Sequence, residues 1–139
     1  MANELKNAVA QILIHAAAIT GVRGSSHGQP RSIPMTPWVA VFASGGDSGP
    51  YTFGTTEDTH RITVRFYFTL TSSEDTEDNL EDLWELAADK FWGDIGLTGK
   101  ATFLEMTGYT TGYQDVGRDT YRILDVILEV QIAGAAITI

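Results

Sequence analysis

From His60 to Thr71 the chain reads HRITVRFYFTLT, and from Arg61 onward polar and apolar side chains alternate. Ile62, Val64, Phe66, Phe68 and Leu70 fall on one side, and Arg61, Thr63, Arg65, Tyr67 and Thr69 on the other. A period of two in β-branched and aromatic residues commits this stretch to a strand with one apolar face to bury. Tyr121–Ile132 repeats the pattern: Leu124, Val126, Leu128, Val130 and Ile132 alternate with Ile123, Asp125, Ile127, Glu129 and Gln131. Pairing of the two strands would set Arg61 and Arg65 against Asp125 and Glu129, and such opposite charges help to fix register.

Two apolar sheet rows need cover, and two segments have the spacing to give it. Asn3–Ile19 places Leu5, Val9, Ile12, Leu13 and Ala16 on one helical stripe, leaves Ile14 off it, and meets a stop at Gly21. Ser72–Trp92 opens on Glu74, Asp75, Glu77 and Asp78, where a helix dipole favours anions, with Ser73 or Thr76 available as a cap. Leu80, Leu83, Trp84, Ala87 and Phe91 follow as its apolar stripe, opposed by Glu81, Asp82, Glu85 and Asp89, and Gly93 ends it.

Trp38–Ala43 (WVAVFA) reads as a short strand inside the sheet, and Ala101–Met106 as another. Between them the chain is punctuated. Thr20–Pro37, with Pro30, Pro34 and Pro37, is expected to be extended and irregular. Ser44–Thr59 reads as an extended hairpin arm carrying Tyr51 and Phe53, and Gly108–Asp119 as a loop or hairpin tip. The order helix, strand, strand, helix, strand, strand gives an α+β fold: a four-stranded, mostly antiparallel sheet with two helices packed on one face and long loop arms. One domain is expected over residues 1–139, with an apolar extension at 133–139.

Composition narrows the chemistry. The absence of cysteine excludes thiolate metal sites and thiol catalysis. A net charge of −9 disfavours a protein that grips nucleic acid by its phosphates. The apolar run Ile12–Ile19 is broken by His15 and is too short to span a bilayer; no cleavable leader and no membrane partner are expected. Gly46-Asp47-Ser48-Gly49-Pro50 resembles the nucleophile motif of chymotrypsin-like proteases with one glycine missing. Neither His15 nor His27 sits in a matching histidine motif, and the chain is too short for that family's paired barrels. His15, His27 and His60 lack metal-ligand spacing, the acidic run lacks an EF-hand's glycine, and no phosphate-cradling glycine loop is present. No enzymatic activity, metal or cofactor is expected.

The arrangement nevertheless resembles a known family. An amphipathic helix leads into a proline-bearing loop and a strand ending in VAVF. A glycine-rich polar arm, the alternating strand RITVRFYF and the helix EDNLEDLWELA follow, and a tyrosine-containing loop leads to TYRILDVILEVQI. In pattern and order, from Glu4 to Ile132, this looks like the tail terminator (tail completion) proteins of long-tailed bacteriophages. The resemblance implies a structural virion protein, made in the host bacterial cytoplasm, that forms a hexameric ring on the end of the tail tube. The ring would stop tube polymerisation and provide the joint to the head, with the tube protein and the head–tail connector as partners and DNA passing through unread. A head–tail connector or neck subunit is one alternative; a monomeric small-ligand-binding α+β domain is another, of a different class. Tyr51, Phe53, Arg61, Arg65 and Tyr67 are the candidate subunit-interface residues, with Tyr109 and Tyr113 beside them. The plainer role for Arg61 and Arg65 is pairing with Asp125 and Glu129 inside one subunit.

Overall fold

The computed structural model describes residues 4–52, 55–70, 73–94 and 103–136. The elements run α1 (Glu4–Ala17), β1 (Gly24–His27), β2 (Trp38–Thr52), β3 (Thr55–Thr69), α2 (Ser73–Trp92), β4 (Phe103–Val116) and β5 (Asp119–Ala136). The strands form one sheet in the order β1-β2-β3-β5-β4. All neighbours are antiparallel except β1, which lies parallel to β2. The fold is α+β, and the four strands expected become five in a mixed sheet. The added strand is β1, four residues (GSSH) too short and too polar to show a period; it is held beside β2 from Gly24↔Trp38 to His27↔Val41.

Both helices lie on the same face. Val9, Ile12, Ala16 and Ile19 from the α1 end, and Leu80, Leu83, Ala87 and Phe91 from α2, join Val39, Val41, Ile62, Val64, Phe66, Phe68, Leu104, Leu124, Val126, Leu128 and Val130 in one buried cluster. α1 packs chiefly on β1 and β2, and α2 on β4 and β5. Ile14 stays exposed, as its place off the stripe requires. Leu70 falls just past the end of β3 and is also exposed, so the apolar row of that strand stops at Phe68. Gly21 follows the first helix with φ +98°, a conformation that favours glycine. Thr76 is buried in the first turn of α2, and its hydroxyl donates to the Thr69 carbonyl (3.4 Å), tying the helix start to the end of β3.

The long arms are strands rather than loops. β2 and β3 stay paired from Trp38↔Tyr67 to Thr52↔Thr55, and β5 follows β3 to Thr55↔Ala136. Much of the expected C-terminal extension is therefore strand; residues 137–139 lie outside the described residues. Gly108–Asp119, read as a loop or hairpin tip, is the end of a hairpin. β4 continues to Val116, and only Gly117 and Arg118 turn the hairpin, Gly117 with the positive φ (+64°) that primed turns need.

Candidate functional site

The face of the sheet away from the helices carries the polar rows. Arg65 stands opposite Asp125, as the alternation predicts, and the two form a two-pronged pair: Arg65 Nε to Asp125 Oδ1 at 2.7 Å and Nη2 to Oδ2 at 2.9 Å. The third donor, Nη1, reaches Gln114 Oε1 of β4 at 2.6 Å, and the Tyr67 hydroxyl lies 3.5 Å from the same oxygen. Gln114 Nε2 donates in turn to Gln29 Oε1 (3.1 Å), which belongs to the segment between β1 and β2. The Phe42 ring flanks the guanidinium at 5.3 Å. Around this network Ala40, Tyr67, Val116, Tyr121 and Ile123 form a second, smaller buried cluster, with Ile33, Trp38 and Phe42 against it.

Electrostatics follow the geometry. The hydrogen bonds that the Arg65 guanidinium donates to the Asp125 carboxylate hold it above its ordinary value, against the pull of burial, so it stays charged. Burial pushes the phenols of Tyr67 and Tyr121 up, which keeps both neutral through the physiological range. The donors and acceptors of the network are paired with one another.

The candidate interface residues divide into groups. Arg61 and Arg65 lie on this open face with Tyr67, and Tyr67 is fully buried, so it supports the surface from beneath. Arg61 faces Glu129 in register but turns its guanidinium the other way, to Asp47 at 3.3 Å. Tyr109 and Tyr113 lie on the helix side of β4: Tyr109 packs on Trp84 of α2 with ring centroids 4.4 Å apart, and Tyr113 lies under Arg122 at 4.9 Å. Arg122 also bonds Glu77 of α2 (2.8 Å) and the Gly112 carbonyl (3.1 Å), so this group fastens α2 to the sheet edge. Both tyrosines remain exposed on their outer sides. Tyr51 lies near the end of β2, where only its backbone is described, and Phe53 lies outside the described residues.

Gln114, Gln29 and Phe42 were not anticipated. The signal for Gln114 is the period of two in Thr110, Gly112 and Gln114 against Tyr109, Thr111 and Tyr113, hidden by the two glycines. The protease-like Gly46–Pro50 run is extended strand in β2, not a tight turn. A cleft of about 490 Å³ opens at the helix ends, between Thr20, Arg23 and Pro37 on one side and Asn79, Asp82 and Leu86 on the other. It is at the rim; the space between sheet and helices is filled by Phe66, Phe68 and Phe91. No helix among the described residues is long and apolar enough to cross a membrane. No protein-family model matches the chain, and no curated protein matches it.

Proposed function

We propose that the chain is the subunit of a closed ring, a hexamer, at the end of a phage tail tube, where it stops tube polymerisation and presents the joint to the head. The observation that carries this reading is the pair of long unpaired strand edges on one small sheet. β4 is a terminal strand along Phe103–Val116, and β2 has no outer neighbour beyond the stretch beside β1, among the described residues. Isolated monomers blunt or cover such edges; subunits of assemblies use them. The arm formed by β2, β3 and the end of β5 adds reach toward neighbours, and the acidic balance suits a channel that lets DNA pass.

The rim cleft favours a second reading, a monomeric domain that binds a small polar ligand between Arg23 and Asp82. Native mass separates the two. Light scattering over a wide concentration range, with negative-stain imaging of large species, is expected to give particles of about six times the 15.1 kDa subunit. A strict monomer throughout that range would sink the ring and leave the cleft as the functional feature.

A further inference from the structure

One row of residues crosses the open face from edge to edge. Register places Gly45 beside Arg61, Arg61 beside Glu129, and Glu129 beside Glu105. The charges along it are uneven. At the β4 end Glu105 and Glu129 are direct cross-strand neighbours, a repulsive arrangement, and neither has a salt bridge among the described residues. At the β2 end the Arg61 guanidinium lies over Gly45, so close that a Cβ there would come within 2.9 Å of Nη2. Glycine thus lets the cation reach the sheet margin, where its partner Asp47 is 81% exposed.

We infer that adjacent copies of the chain join edge to edge, β4 of one against the outer edge of β2 of the next, with Glu105 of the first meeting Arg61 of the second. This deepens the ring reading and rests on it. Strand sense permits it. β2, β3, β5 and β4 alternate in direction, so β4 runs antiparallel to β2, and two copies laid side by side in one orientation bring antiparallel strands together. Level permits it too. Phe42–Asp47 of β2, without an outer strand neighbour among the described residues, stands at the height of Phe103–Gly108 of β4, and Arg61 and Glu105 then meet without any shift along the strands.

Among the described residues the obstacle is β1, which shields β2 as far as Val41. β4 has a bulge between Met106 and Gly108, at the height of Ala43 and Phe42, where β1 has just ended. A bulge bends its strand, and here it bends where an incoming strand has to step around that end. The contact is heterologous, so each copy keeps one edge to offer and the chain of contacts ends only by closing on itself.

The native chain has no cysteine, so introduced thiols report alone. In an Ala43→Cys/Thr107→Cys double variant, a short bis-maleimide is expected to yield a ladder of covalent multimers ending at the ring number. Either single variant should stay monomeric on a denaturing gel. Arg61→Ala and Glu105→Arg should each weaken self-association about tenfold or more, and Arg61→Glu combined with Glu105→Arg should restore it, as a charge pair in a double-mutant cycle does. Circular dichroism and thermal unfolding check that each variant is folded.

Covalent dimers from Thr107→Cys alone would reveal a two-fold β4–β4 contact and overturn the inference. Wild-type rings that persist unchanged in Arg61→Ala and Glu105→Arg, with no ladder from the double-cysteine variant, would overturn the edge contact and leave the ring standing. A wild-type protein that is monomeric even at millimolar concentration would overturn both.

Discussion

On the helix side of the sheet stand Val64, Phe66, Leu124, Val126 and Leu128, all inaccessible and all apolar. One residue along the same strands, on the other side, stand Thr63, Arg65, Tyr67, Ile123 and Asp125, a mixture in which Thr63 donates to Ser44, and Arg65 to Asp125 and to Gln114, which in turn bonds Gln29. The first set is held by area removed from water, which is non-directional and tolerant of exchange among apolar residues. The second is held by donors and acceptors at fixed distances, where one missing partner leaves a buried group unsatisfied. A chain that needed only a core could leave the second face plain and solvated. Instead this one builds a hydrogen-bonded, charged platform between β4 and β2, whose outer edges have no strand neighbour beyond β1 among the described residues.

Substitutions should separate the two modes. The largest effect is expected on the helix side: Phe66→Ala removes a fully buried ring and leaves a cavity, at a cost of about 3–5 kcal/mol in urea unfolding. Next, Asp125→Ala strands the Arg65 guanidinium, whose side chain is 17% exposed, and should cost about 3 kcal/mol. The contrast sharpens in the double variant Arg65→Met/Asp125→Leu, which should recover part of that loss, because replacing both partners leaves neither charge unpaired, while Gln114 Oε1 loses the Arg65 donor and keeps the Tyr67 hydroxyl at 3.5 Å. No second apolar substitution is expected to rescue Phe66→Ala in this way. If the double variant is as unstable as Asp125→Ala, the platform is not held by the ion pair. A smaller effect belongs to the seam between the faces. Glu77→Gln loosens Arg122 from α2, and with Glu77 38% exposed the cost should be about 1 kcal/mol or less, read as a shift in the thermal midpoint.

The helix side was legible in sequence because burial writes a period: two for the strands, 3.6 for the helices. The charge pairing offered a guide to register as well: among the registers that keep the apolar rows aligned, the one observed sets Arg65 against Asp125. Where burial stops writing, reading failed. β1 is four polar residues whose strand state comes from β2, a tertiary cause that no local pattern records. The distal halves of β2 and β4 carry Gly45, Gly46, Gly49, Gly108 and Gly112, turn residues in most settings, and here they lie within strands paired to β3 and β5. At Gly46 the reason is visible, because a Cβ there would come within 2.7 Å of the Thr59 carbonyl oxygen. Of the candidate interface residues, Arg61 and Arg65 fell where alternation put them. Tyr109 and Tyr113, expected in a loop or hairpin tip, lie on the helix side of a strand, and Tyr67 proved to be interior.

The smallest effect is one of pH, and it belongs to the open face. Burial raises the folded-state pKa of Tyr67 above the 10.0 of a free phenol, as it does for Tyr121. Below that value both folded and unfolded chains keep the proton, and the stabilisation is present in full. Above it the unfolded chain ionises first, so stability falls as pH rises from about 10 through the folded-state value, by up to about 1.4 kcal/mol per pH unit for each such group. Tyr67→Phe should cost under about 1 kcal/mol near neutrality, since the hydroxyl is 3.5 Å from Gln114. Its alkaline slope, however, should be shallower than that of the wild type. Urea midpoints compared at about pH 8 and about pH 11 would resolve the difference, because linkage predicts a slope and not an offset. Equal slopes would mean that the phenol reaches water in the native state, and that the open face is less tightly closed around Arg65 than its distances require.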